Sequence, residues 1–155
     1  MDDQEIVSLV RRLDTHKWLE QEEAWGRLRP LGERVVPFLL DAYPTTRRWQ
    51  GRVALVYHSV RYARTSEAAF RLSLAACGDK ATLVRYRACG LLAYSLRDDA
   101  LPALEALLNH RDGRTVEDAA AAIDAIRGRN HHYFIDRDHT GHIFWRVGDD
   151  DDAPA

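Results

Sequence analysis

Along residues 1–127 the apolar positions recur at steps of three and four, the spacing that gathers them on one side of a helix. Ile6, Val7, Leu9, Val10 and Leu13 predict a helix over 3–13, with Asp2 or Asp3 as its cap. Trp18, Leu19, Trp25 and Leu28 predict a second over 16–29, entered through Asp14 and Thr15 and stopped by Pro30 and Gly32. A short helix follows over 33–43, with Pro37 in its first turn, where a missing N–H costs nothing, and Pro44 beyond its end. Over 46–64, Trp49, Val53, Val56, Val60 and Ala63 make one buried face. Further helices are expected over 66–77, 80–96, 99–109 and 115–127, with Gly78 and Asp79 closing the first of them.

From His131 the period changes to two. A loop at His139-Thr140-Gly141 pairs Asp138 with His142, Ile135 with Trp145 and Tyr133 with Val147. That register puts Tyr133, Ile135, Ile143, Trp145 and Val147 on one face, so a β-hairpin over 131–148 is expected to pack on the last helices. The domain reading is a helical domain over 1–130, the hairpin as its cap over 131–148, and an acidic, disordered tail over 149–155.

The helices repeat. The longer ones align at Trp49, Val84 and Val116, steps of 35 and 32, and the shorter at Pro37, Phe70 and Pro102, steps of 33 and 32. Val36-Pro37-Phe38-Leu39-Leu40 and Leu101-Pro102-Ala103-Leu104 resemble the second helix of HEAT repeats, and Leu83-Val84-Arg85-Tyr86-Arg87-Ala88 resembles the opening of a HEAT first helix. The middle unit departs from this pattern, having Phe70 where the others have proline. The resemblance covers about residues 16–127 and implies an all-α fold, a right-handed α-α superhelix of about three helix pairs, each hiding its apolar face on the next. It implies a protein-binding scaffold or adaptor rather than an enzyme, and compact bacterial HEAT-like chains of this kind include adaptors and immunity proteins. In HEAT arrays the second helices line the concave side, which brings Arg34, Asp41, Glu67, Arg71, Asp98 and Glu105 to a candidate partner surface.

Composition changes the picture mainly through charge. The net charge is −2, but residues 1–46 carry −3, residues 47–87 carry +7 and residues 88–155 carry −6. The basic band contains Arg47, Arg48, Arg52, Arg61, Arg64, Arg85 and Arg87, beside Trp49, Tyr62 and Tyr86. Arginines next to aromatics suit phosphates and bases, so the alternative reading is a nucleic-acid binder of the DNA-glycosylase-like HEAT type. It requires these arginines to converge on one concave face with an acid such as Glu67 at its floor. The bland alternative is that they pair with the acidic ends or meet an acidic protein.

The hairpin offers Asp136, Asp138 and His142 as a candidate metal set, and Asp-Arg-Asp-His-Thr-Gly matches the first half of a calcium loop. Val147 stands where such a loop needs its bidentate carboxylate, and Asp, Thr and Gly are also what a hairpin turn prefers. No catalytic residues and no cofactor are expected. The four tryptophans read as core or wedges between helices, and Cys77 and Cys89 as small buried apolar residues. The acidic start is unlike a signal peptide and no apolar run reaches membrane-spanning length, so no membrane partner and a cytoplasmic location are expected.

Overall fold

In the computed structural model, which describes residues 1–142 and 145–147, the helical spacing becomes eight α-helices. They are α1 (Asp3–Arg11), α2 (Trp18–Leu28), α3 (Val36–Ala42), α4 (Trp49–Ser59), α5 (Glu67–Ala76), α6 (Thr82–Ser95), α7 (Leu101–Leu107) and α8 (Gly113–Arg127). The fold class is all-α, and no strand occurs among the described residues.

Local chemistry sets the boundaries. Asp2 and Glu5 form a reciprocal capping box at α1, with hydrogen bonds of 2.8 and 2.9 Å. After α2, Pro30 opens a 3-10 segment, Arg29–Val35, interrupted at Gly32, whose φ of 60° suits a residue without Cβ. Pro37 lies in the first turn of α3, as its ring requires. Ser66 and Asp112 cap α5 and α8 through their own side chains. The cap of α4 comes from elsewhere: the Asp14 carboxylate accepts the backbone N–H groups of Arg47 and Arg48 at 3.0 and 2.9 Å. Asp14 thus serves α4, not the helix that follows it in sequence.

Helices meet their chain neighbours (α1 with α2, α3 with α4, α5 with α6, α7 with α8) and also helices two places away (α1 with α3, α3 with α5, α4 with α6, α6 with α8). One continuous core runs from Ile6 to Phe134. Helix α6 sits at its centre, packed on α4, α5 and α8, and is buried over the unbroken run Ala88–Ser95. A helix covered on several sides shows no single apolar face, which is why Gly90 and Ser95 lie inside. Each wholly buried leucine there, Leu91 and Leu92, contributes about 1.5–3 kcal/mol.

Two ion pairs, one buried and one partly buried, stitch successive helix pairs together. Arg52 on α4 meets Asp79, between α5 and α6, through Nε to Oδ2 at 2.7 Å and Nη2 to Oδ1 at 3.2 Å. Arg85 on α6 meets Asp112, before α8, at 2.8 Å. Each partner lies 27 positions after its arginine, and Arg85 also donates to the Asp79 carbonyl at 2.7 Å. The two links are thus copies of one device, 33 residues apart. Asp79 was expected only to close α5 with Gly78; instead it is a buried hub that also accepts from the Tyr43 hydroxyl and the Ala81 N–H. Burial pushes its carboxyl up, but hydrogen bonds from Arg52, Tyr43 and Ala81 outweigh this and hold it below the ordinary range. Among the described residues no buried side-chain polar atom lacks a partner.

The segment after α8 departs from the expected hairpin. His131–Phe134 forms a 3-10 turn, opened by the Asn130 side chain, which accepts the His132 N–H at 3.0 Å. Its three-residue period brings His131 and Phe134 to the same buried side, whereas a strand would have placed Tyr133 and Ile135 there. Phe134 then seats on Gly90, where a Cβ would stand 3.2 Å from its ring. The polar–apolar alternation of His-His-Tyr-Phe-Ile-Asp is read equally well by a short tight turn held on α6 and α8. Ile143, Phe144 and residues 148–155, and with them the acidic-tail assignment, lie outside the described residues.

Candidate functional site

The basic band over 47–87 does not stay together. Arg52 and Arg85 are 7% and 4% exposed and belong to the two ion-pair links. Arg47 and Arg48 remain at the surface near the Asp14 cap. Arg64 lies 4.0 Å over the Tyr94 ring and donates to the Tyr94 carbonyl at 2.8 Å. Arg61 and Arg87 go to a fourth place, a cleft of about 410 Å³ between the row α2, α4, α6 and residues 145–147.

The cleft is assembled from far-apart sequence. From α2 comes Trp25, stacked on His58 of α4 at 3.9 Å between ring centres. Tyr57 meets His58 edge-on at 5.2 Å, and the Arg87 guanidinium stands 4.9 Å over the Tyr57 ring. Arg29 and Arg61 complete the cationic rim, with Arg146 from the C-terminal segment and Glu22 as the acidic member of the lining. Burial pushes the His58 imidazole down to about 4, so at neutral pH it is an uncharged ring in the floor. The far wall is fixed by two histidines: His131 Nε2 meets the Trp145 carbonyl at 2.9 Å, and the Trp145 N–H donates to His132 Nδ1 at 2.8 Å.

What distinguishes the cleft is that its arginines gather around aromatic rings. Some surface arginines face carboxylates (Arg12 with Glu23, Arg97 with Glu67 and Asp99, Arg129 with Asp98), while others, such as Arg47, Arg48 and Arg71, have no ion pair among the described residues but stand apart from the cleft. No ion pair joins Arg29, Arg61 or Arg87 to a carboxylate among the described residues. A wider depression of about 650 Å³ around Arg12, Lys17 and Glu20 contrasts with it, because its charges satisfy one another through Arg12–Glu23 and Lys17–Glu20.

The candidate partner surface on the second helices is placed elsewhere and is mostly self-paired. Arg34 holds Asp3, Glu67 holds Arg97, Asp98 holds Arg129 and Glu105 holds Arg127. Asp41 and Arg71 are exposed without an ion pair among the described residues. Glu67, engaged by Arg97, is not the floor of an arginine groove. The metal set is also dispersed in role: buried Asp136 accepts from Thr140 N–H, Thr140 Oγ1 and Gly141 N–H at 2.9, 2.8 and 2.7 Å, while Asp138 and His142 face solvent. Its carboxylate oxygens are taken up by turn donors, and among the described residues no group of three or more metal-binding side chains is present.

Two tryptophans differ from the expected core role: Trp18 is 65% and Trp49 43% exposed, at the first positions of α2 and α4. Cys77 and Cys89 are free and buried, and burial pushes the Cys77 thiol up to about 12. Of the cleft residues, Arg61 and Arg87 belong to the band singled out from sequence, whereas Trp25, Arg29, Tyr57, His58 and Arg146 were missed. No family model, no curated protein and no solved structure matches the chain. No helix among the described residues is long and apolar enough to cross a membrane.

Proposed function

We propose that this chain is a HEAT-like α-α superhelix that acts without catalysis, as an adaptor binding another protein through the cleft on α2, α4 and α6. The recurrence of the arginine–aspartate link at a 33-residue step supports the repeat reading. One observation carries the binding reading: Arg29, Arg61 and Arg87 surround Trp25 and Tyr57 with no carboxylate partner of their own among the described residues. Tryptophan, tyrosine and arginine are the residues in which interface energy concentrates. The buried, undissociated thiols of Cys77 and Cys89 supply no nucleophile.

The nucleic-acid alternative keeps one point in its favour, the guanidinium of Arg87 over Tyr57 beside an open cleft. Affinity capture from a native host lysate separates the two. The protein reading expects a discrete protein retained by the wild type and lost from the Arg61→Glu/Arg87→Glu variant, with the purified pair binding directly in calorimetry. Capture profiles that are the same for wild type and variant would remove the cleft as the site. Salt-sensitive retention of duplex DNA, with no protein retained, would replace the reading with the alternative.

A further inference from the structure

Resting on the protein-binding reading, we infer that the occupant of the cleft is a short acidic peptide segment of the partner, its carboxylates on Arg29, Arg61 and Arg87 and an apolar or aromatic side chain against Tyr57. Charge complementarity carries the argument. The rim sets Arg29, Arg61 and Arg87 against Glu22, and His58 adds no opposing or supporting charge at neutral pH. Arginine is the cation suited to such a place, since its planar fork takes a carboxylate by two hydrogen bonds and is weakly hydrated. Arg87 is already oriented by the rings of Tyr57 and Tyr86, at 4.9 and 5.4 Å, so it loses little freedom on binding. The floor is rigid for the same reason, Trp25 and His58 lying nearly parallel at 12°.

Size and surroundings favour a peptide over a polynucleotide. A cleft of about 410 Å³ has room for a few side chains, near the lower end of ligand sites. The rest of the molecule is acidic, with −3 and −6 on the flanking segments, and repels a long polyanion while a short segment meets the local field alone. The sequence carries the same chemistry close by, four aspartates at 149–152, one glycine after Val147 of the cleft wall, which makes them a control for the experiment.

The experiment uses full-length protein and a fluorescent six-residue peptide of alternating Glu and Leu, read by anisotropy at low and moderate salt. A neutral Gln/Leu peptide and a single-stranded oligonucleotide are the controls, and the Asp149→Asn, Asp150→Asn, Asp151→Asn, Asp152→Asn protein is a second sample. The expected result is salt-sensitive binding of the acidic peptide by the wild type. It should weaken at least about tenfold in Arg61→Glu and in Arg87→Glu, with circular dichroism unchanged, and be absent for the neutral peptide. Binding only to the tail-neutralised protein would place the chain's own aspartates in the cleft and overturn the partner assignment. Oligonucleotide binding as tight as the acidic peptide's would overturn it in favour of nucleic acid, and no acidic-peptide binding by either protein would end it. If the peptide fails while a captured partner still depends on Arg61 and Arg87, the acidic-segment inference falls and the adaptor reading stands.

Discussion

Arg52 and Arg61 lie nine residues apart in one basic stretch, and their fates are opposite. Arg52 points into the stack, where Asp79 and the Arg47 carbonyl saturate its guanidinium, and serves to hold α4 to the next helix pair. Arg61, just beyond the end of the same helix, lines the cleft and meets no carboxylate among the described residues. Arg85 and Arg87 repeat the contrast two residues apart on α6. A run of like charge is therefore not one surface. In a layered helical protein, a shift of about half a turn moves a side chain from a joint between helices to open water.

The contrast is tested first where it is deepest. Asp79→Ala leaves Arg52 buried and uncompensated, and should cost about 3–5 kcal/mol in denaturant unfolding. The paired replacement Arg52→Met/Asp79→Leu should recover part of that loss, the rest reflecting the Tyr43 hydroxyl and Ala81 N–H left without Asp79; if it recovers none, the unpaired Arg52 charge is not the source of the loss. Asp112→Ala removes the second link, and since Asp112 is a quarter exposed its thermal midpoint should fall less than that of Asp79→Ala. Hydrogen bonds from Thr82, the Arg114 N–H and Arg85 hold the Asp112 carboxyl down at about 2, against an ordinary 3.8. Its contribution is thus intact above pH 3.8 and fades as pH falls toward 2.

His58 gives a milder effect of its own. With its pKa at about 4 in the fold and 6.5 outside it, the unfolded chain takes up the proton first. Stability should therefore fall as pH drops from 6.5 toward 4, and thermal midpoints of wild type and His58→Gln at pH 7 and 5 should show a shallower slope in the variant. Smallest of all, Arg61→Glu and Arg29→Glu should change stability by no more than about 0.5 kcal/mol, as for surface positions remote from a buried feature. A large loss in either would mean that the cleft arginines are structural after all.

The periodicity of apolar residues was enough to expect a helix in each of the eight places where one occurs, because amphipathic spacing is enforced locally by the core. The placing of Pro37 and Pro102 in the first turns of α3 and α7 was legible for a related reason, since proline is tolerated there and not further in. The Asp14 cap and the Arg52–Asp79 pair were not legible, because they join positions 27 or more residues apart that no local pattern connects. The alternation from His131 suggested strands because period two and period three are hard to tell apart over four residues. Only the seat of Phe134 on Gly90 decides between them. The cleft was half legible: its charge showed in the +7 band, but its aromatic floor draws on Trp25 and Tyr57, which meet only once the helices stack.

Arg85 grips both the Asp79 carbonyl behind it and the Asp112 carboxylate ahead. A side chain that spans two joints makes the loosening of one helix pair felt by the next. The eight helices should then melt in a single sharp event rather than fray from the ends.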